Sequence, residues 1–342
     1  MDEADVRAVL GRVEDPDLGD DIVSLGLVNA VAVEDGVAKV SLALGAPYAP
    51  TERDIATDVR EALAEAGLEA ELTAKQPTAL RDDDVLPGVK NIVAVASGKG
   101  GVGKSTVAVN LAAGLSKLGA RVGLFDTDVY GPNVPQMLGS EESPTTTEDD
   151  TIIPPERHGV KHISMGYLVG EDDPVIWRGP MVHQVLTQLV DDVEWGELDY
   201  LVLDLPPGTG DTQLTILQTL PLTGAVIVTT PEEVAIDDAR KGVEMFGRHD
   251  TNVLGLVENM SSFVCPDCGS QHDVFGSGGG QALAEATDVP YLGGVPLDPE
   301  IRTGGEPMVL TDDNATADAF RVVTEDVANH VGIVNRRRVS ET

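Results

Sequence analysis

Eight residues, Gly98-Lys-Gly-Gly-Val-Gly-Lys-Ser105, limit what this chain can fold into more than any other stretch. They fit G-x-x-x-x-G-K-[ST], follow the apolar run Asn91–Ala96 directly, and open a helical stretch near 104–118. Without side chains at Gly98, Gly100, Gly101 and Gly103, the backbone N–H groups of a loop through Val102 can wrap phosphate oxygens. The helix N-terminus behind them adds partial positive charge. In such a loop Lys104 meets the β- and γ-phosphates, the Ser105 hydroxyl ligates Mg²⁺ and Thr106 reaches the α-phosphate. A phosphate loop of this kind sits between a buried parallel strand and its crossover helix.

The rest of the chain supplies that sheet. Val122–Phe125, Leu201–Leu203, Ala225–Val228, Val253–Val257 and Leu292–Val295 are short apolar runs. Helical stretches near 212–220, 233–247, 278–287 and 315–330 separate several of them. The alternation predicts an α/β fold with a mostly parallel sheet covered by helices on both faces, and the glycine loop makes it a P-loop NTPase. Residues 1–80 read as a small α+β domain. Val28–Val33 and Val37–Leu44 flank the turn Glu34-Asp35-Gly36, and Thr51–Ala66 is a helix with Thr51 and Asp54 at capping-box spacing. Residues 81–90 form a charged linker, 91–335 the P-loop domain and 336–342 a solvated tail containing Arg336–Arg338. Gly139–His158 is polar and proline-bearing, a surface loop.

Carboxylates stand at the ends of two predicted strands, on the ligand side of a parallel sheet. Asp126 and Asp128 follow Leu124-Phe125, and Asp204 ends Leu201-Val-Leu203 ahead of Pro-Pro-Gly-Thr-Gly-Asp211. Asp204 is the candidate for holding Mg²⁺ through water, Gly208–Asp211 for sensing the γ-phosphate, and Asp126 for supporting the metal shell. The only two cysteines form Cys265-Pro-Asp-Cys268. Two thiolates on one loop fill half of a tetrahedral site, so a symmetric pair of chains would supply four. A bridging iron–sulfur cluster, a structural zinc with His272 nearby, and a redox dithiol all remain open from the residues alone.

Charge excludes some partners. The chain carries 58 Asp and Glu against 23 Lys and Arg, a net charge of −35, which opposes both nucleic acid and anionic membranes. With 42% apolar residues it is a folded protein with an acidic surface, as suits a salt-rich cytosol where the Debye length is roughly 3 Å at 1 M. Asp2, Glu3 and Asp5 and the lack of a long apolar run predict a soluble cytoplasmic protein.

Lys99, just after the first glycine, gives the phosphate loop a second lysine, and Lys-Gly-Gly-Val-Gly-Lys-Ser-Thr resembles the deviant Walker A motif of MinD/ParA-class ATPases. That resemblance implies ATP as nucleotide, Lys99 reaching phosphate in a partner subunit, Asp128 positioning the attacking water and Asn259 contacting adenine. The ordered set GKGGVGKST, FDTDVYGPN, WRGPM, DLPPGTGD, VENMS and CPDCG is more specific and resembles the Mrp/ApbC family of iron–sulfur cluster carrier ATPases from about Asn91 to about Asp298. Asp15-Pro-Asp-Leu-Gly and Asp21–Val28 resemble the small metal–sulfur cluster assembly domain often fused ahead of it. Ala46-Pro-Tyr-Ala-Pro50 departs from that domain's pattern, which commonly has a cysteine there, so no cluster role falls to the first domain. The family implies a homodimer that holds a cluster, of the 4Fe–4S type, on Cys265 and Cys268 and delivers it to apo-proteins alongside cluster assembly factors. ATP hydrolysis would modulate loading or release. The rival readings are a MinD/ParA-like positioning ATPase and a zinc-bridged ATPase dimer. WRGPM marks the family without showing its chemistry; Arg178 in it could meet phosphate, a second subunit or a surface carboxylate.

Overall fold

The computed structural model describes residues 1–75, 85–129, 131–168, 179–265, 268, 270–303, 305–312 and 314–342. Arg178, residues 81–84 of the expected linker, and residues 266, 267 and 269 of the cysteine segment lie outside the described residues. The chain divides into two compact units, Met1–Asp82 with Ala328–Thr342, and Asp83–Val327.

In the smaller unit, α1 (Glu3–Leu10) precedes β1 (Val28–Glu34) and β2 (Val37–Leu42), which pair antiparallel across Asp35-Gly36. Both turn residues sit at positive φ, 49° and 85°, the geometry a two-residue hairpin demands. α2 (Pro50–Glu65) then crosses to β3 (Glu69–Ala74), parallel to β2. Ile55, Val59 and Leu63 recur every four residues along α2 and are buried. The capping box expected at Thr51 and Asp54 does not form: Ala49 is the N-cap and Pro50, with φ preset for a helix, opens the first turn. The Thr51 N–H instead donates to Asn329 Oδ1 at 3.0 Å.

The larger unit is built on one mostly parallel sheet. Its elements run β4 (Ile92–Ser97), α3 (Lys104–Leu118), β5 (Val122–Asp126), α4 (Val134–Met137), β6 (Thr145–Thr146), β7 (Ile152–Ile153), β8 (Glu156–Arg157), β9 (Val160–Ser164) and α5 (Gly179–Asp192). β10 (Tyr200–Asp204), α6 (Asp211–Thr219), β11 (Gly224–Thr229), α7 (Glu233–Arg248), β12 (Val253–Val264), β13 (Gln271–His272), α8 (Gly279–Thr287), β14 (Tyr291–Leu297) and the part of α9 (Ala315–Ser340) up to Val327 complete it. The strand order is β13-β12-β11-β4-β10-β5-β9-β8, with β14 also paired to β12. β4, β5, β10 and β11 are buried along their whole length. Ile92, Ala94, Leu201, Leu203 and Ile227 pack in one core with residues of α5 to α8, while α3 packs on β4, β5 and β10. That double cover is why these strands read as unbroken apolar runs.

Four departures from the sequence reading matter. Gly139–His158 is not only loop, since it carries the β6–β7 hairpin and β8. β12 does not stop at Val257 but continues through Ser261-Ser262-Phe263 to Val264, so the cysteines leave a strand and not a loop. β13 returns antiparallel beside it, with Phe263 opposite His272. Finally, residues 336–340 are helix, not tail, and Arg336 is fully buried. α9 gives residues up to Val327 to the larger unit and the following ones to the smaller.

Candidate functional site

β4, β10 and β5 lie side by side in parallel register, Asp204 opposite both Val95 and Asp126, so their C-terminal ends open on one place. The loop Gly98–Gly103 leaves β4 there and turns into α3. Gly98 is packed so tightly that a Cβ on it would fall 2.2 Å from the carbonyl group of Asp238 in α7. Gly103, at φ +83°, is the N-cap of α3 and takes a conformation that disfavours side chains. The resulting cleft, of about 450 Å³, is lined by Gly100, Gly101, Gly103, Lys104, Ser105 and Thr106, with Asp128 across from them.

Lys104 is buried, and its Nζ donates to Asp204 Oδ1 at 2.5 Å and to the Ser105 hydroxyl at 3.3 Å, with Asp128 Oδ2 3.8 Å away. Burial pushes the Asp204 carboxyl up from its ordinary value, while the Lys104 ammonium and the Ser105 hydroxyl oppose that rise and Asp128 adds to it. Among the described residues, nothing donates a hydrogen bond to the buried Asp204 Oδ2. A cation beside Ser105 would satisfy that oxygen, so the donor set fits Mg²⁺. Thr127 donates both its N–H and its hydroxyl to the Asp204 carbonyl, tying the ends of β5 and β10 together.

Asp126 is placed beneath the cleft, not in it. Its oxygens accept from the Ser164 hydroxyl (2.9 Å) and from the N–H groups of Asp128 (3.1 Å) and Val134 (3.3 Å), which shape the loop carrying Asp128. Burial, and then the neighbouring Asp204 charge, push its carboxyl up to about 7. Lys99 turns away from the cleft and pairs with Glu232 at 3.0 Å. Asn259 is buried on β12 and donates its Nδ2 to the Val102 carbonyl at 2.8 Å, so it braces the phosphate loop itself. Gly208 donates its N–H to the Ser97 carbonyl and carries the loop after β10 to the cleft, where Pro207 joins the lining.

Sequence reasoning missed Asn133, Gln136 and Ile301, which line the cleft, and Ser164 and Glu232 behind it. Asn133 lies within FDTDVYGPN and was within reach of motif reading. Ile301 comes from a turn after β14 with no local signal.

Cys265 is half-buried and Cys268 exposed, and neither lines the cleft. The Cys265 N–H donates to the Ser270 carbonyl, and Cys268 Sγ lies 3.3 Å from the Ser270 hydroxyl. Hydrogen bonding by Ser270, side chain first and backbone second, with a further contribution from Cys265, holds the Cys268 thiol below its ordinary value. That favours the thiolate, the form that binds metal. Among the described residues no group of three or more His, Cys, Asp or Glu is arranged to hold a metal.

The family model for NUBPL iron-transfer P-loop NTPases matches residues 88–329, and that for iron-sulfur cluster assembly proteins matches residues 3–72. An iron-sulfur cluster carrier protein from Synechocystis is 44% identical, covering 96% of this chain and 97% of its own length. Another from Deinococcus radiodurans is 46% identical over 97% of this chain and 96% of its own. A nucleotide-binding protein from Archaeoglobus fulgidus, solved in complex with ADP, superposes with a TM-score of 0.58 at 36% identity, covering 66% of this chain and 88% of its own. The cell division ATPase MinD of Pyrococcus furiosus, at 24% identity and a TM-score of 0.51 over 70% of this chain and 98% of its own, shares the fold. The two family models between them span the small leading unit and the sheet domain with its phosphate loop, the relatives align over nearly the whole length, and the chain belongs to the iron–sulfur cluster carrier P-loop NTPases.

Proposed function

We propose that the chain is a cytoplasmic ATPase that carries a 4Fe–4S cluster between two copies of itself and hands it to apo-proteins. The observation that carries this reading is the cysteine hairpin. It presents two thiols, one of them held below its ordinary pKa, in a chain whose only cysteines they are. A cluster takes four thiolates, so two copies of the hairpin supply the set. Exposed Val264 and Val274 on either side of the pair give that place an apolar surface suited to a protein partner, whether a second copy, an assembly factor or an acceptor.

The related protein solved with ADP supports an adenine nucleotide in the cleft. Ser105 and Asp204 are the residues that would hold Mg²⁺, which when bound draws negative charge from the phosphates. Lys104 exchanges its contact with Asp204 for phosphate oxygens, and Asp128 orients the attacking water. Lys99, paired with Glu232 in the single chain, reaches phosphate across the dimer. Slow turnover follows from a site completed only by a second copy. The positioning-ATPase alternative needs a basic tail, and Arg336 is buried.

Anaerobic reconstitution with iron and sulfide tests the reading. A broad visible absorption that two chains share, that Cys265→Ser with Cys268→Ser abolishes, and that moves to an apo-acceptor in an ATP-dependent way is the expected result. Colourless protein with stoichiometric zinc overturns it.

A further inference from the structure

We infer that Asn259 is a positioning residue that ties the phosphate loop to the cysteine hairpin. The structure engages its side chain in a way the adenine-contact role does not use. Asn259 is 4% exposed, and its Nδ2 donates to the Val102 carbonyl in the heart of the loop. The approach is close: a Cβ on Gly103 would lie 2.0 Å from that same Nδ2. Five residues further along, β12 ends at Val264, and Cys265 follows it.

The intervening strand is held at both ends and irregular between them. Met260 has φ +57°, and the register with β14 shifts between Asn259 and Phe263. At Phe263 the strand is again fixed, opposite Leu297 of β14 and His272 of β13. Val264 pairs with Gln271, and the Cys265 N–H with the Ser270 carbonyl. A rearrangement of the Val102–Gly103 peptide around phosphate must carry the Asn259 amide with it, because a buried donor left without its acceptor is costly. The irregularity at Met260, within the strand, is where β12 can yield, and the hairpin that holds both thiols is what then moves. Asn259 thereby makes the environment of Cys265 and Cys268 depend on whether the cleft is filled.

The inference rests on the reading of the cleft as an ATP site and of the cysteines as the cargo site. Its test therefore follows free thiols and needs no cluster. The full chain, reduced and free of metal, is alkylated with iodoacetamide, and the rates at Cys265 and Cys268 are followed by mass spectrometry with and without saturating Mg·ATP. A fluorescent ATP analogue confirms equal occupancy in every variant. In the natural chain nucleotide changes the rates by about fivefold or more, the size of an ordinary coupling between sites. In Asn259→Asp, which keeps the shape and removes the donor, the rates at full occupancy no longer respond. Asn259→Ser repeats the test should the aspartate prevent folding, as judged by circular dichroism. Thiols that ignore nucleotide in the natural chain, or variants that keep the full response, overturn the inference. A chain that fails to take up a cluster while its thiols still respond overturns the cargo reading and leaves this coupling standing.

Discussion

At the scale of single residues the site separates groups that touch the cleft from groups that shape it. Asp128 lines the cleft and Asp126, two residues earlier, is buried under it with its oxygens occupied by protein donors. Replacing Asp128 by Ala should lower ATP turnover by about 10²-fold or more while nucleotide affinity changes little, as loss of a water-orienting group does. Steady-state hydrolysis beside equilibrium nucleotide titration separates the two effects, and turnover near that of the natural chain would remove Asp128 from its role. Away from the cleft, Asp199 shows the opposite balance to Asp204. Burial raises its carboxyl, but the Arg121 guanidinium (3.0 Å) and the Lys90 ammonium (2.8 Å) outweigh burial and bring it down to about 2. A carboxyl lower in the folded chain than in the unfolded one stabilises the fold above its unfolded value of 3.8. That stability, about 2 kcal/mol, is lost as pH falls from 3.8 toward 2. Urea unfolding across this window should show a flatter pH dependence for Asp199→Asn; equal slopes would contradict the assignment.

At the scale of elements, the packing of the phosphate loop against α7 sets a narrow tolerance. Because the α7 backbone occupies the space beside Gly98, Gly98→Ala must push loop and helix apart. The expected cost is about 1–3 kcal/mol with most nucleotide affinity lost, read by thermal unfolding and nucleotide titration. An alanine variant that binds normally would show that the loop relaxes freely. Legibility at this scale followed burial. β4, β5, β10 and β11 are covered on both faces, so their apolar runs announce them. β3 is largely exposed and its sequence, Glu-Ala-Glu-Leu-Thr-Ala, has no such run. The far half of β12 reads Asn-Met-Ser-Ser-Phe-Val, neither continuous nor strictly alternating. Its extension is decided by β13 and β14 pairing on either side of Phe263, partners no local window contains.

At the scale of the whole molecule, charge and burial meet in Arg336. Its guanidinium contacts Asp15 (2.6 Å), Asp17 (2.6 Å) and Glu52 (3.4 Å), all inside the smaller unit. Burial raises the Glu52 carboxyl, and Arg336 works against that rise. Arg336→Ala leaves these carboxylates facing one another without a cation, and about 3–5 kcal/mol of stability should go with it. Urea denaturation measures this, and a loss below about 1 kcal/mol would mean that water replaces the guanidinium. Across the whole chain 23 Lys and Arg face 58 Asp and Glu, a net charge of −35, so acidic groups repel one another. The unfolding midpoint should therefore climb as salt rises from about 0.1 M to about 1 M and the Debye length shrinks from about 10 Å to about 3 Å. A midpoint indifferent to salt would detach the charge from any salt-rich habitat. The amino-acid sequence by itself determined the phosphate loop, the α/β alternation around it, the paired cysteines and the family, because each is written in neighbouring residues whose spacing carries the chemistry. Only the tertiary structure decided that Arg336 is a core residue, that Asp126 is a brace, and that Asn259 holds the loop from a strand 157 residues away. Those roles depend on which groups share a buried space, and hydrogen bonds and ion pairs form across that space without regard to distance along the chain.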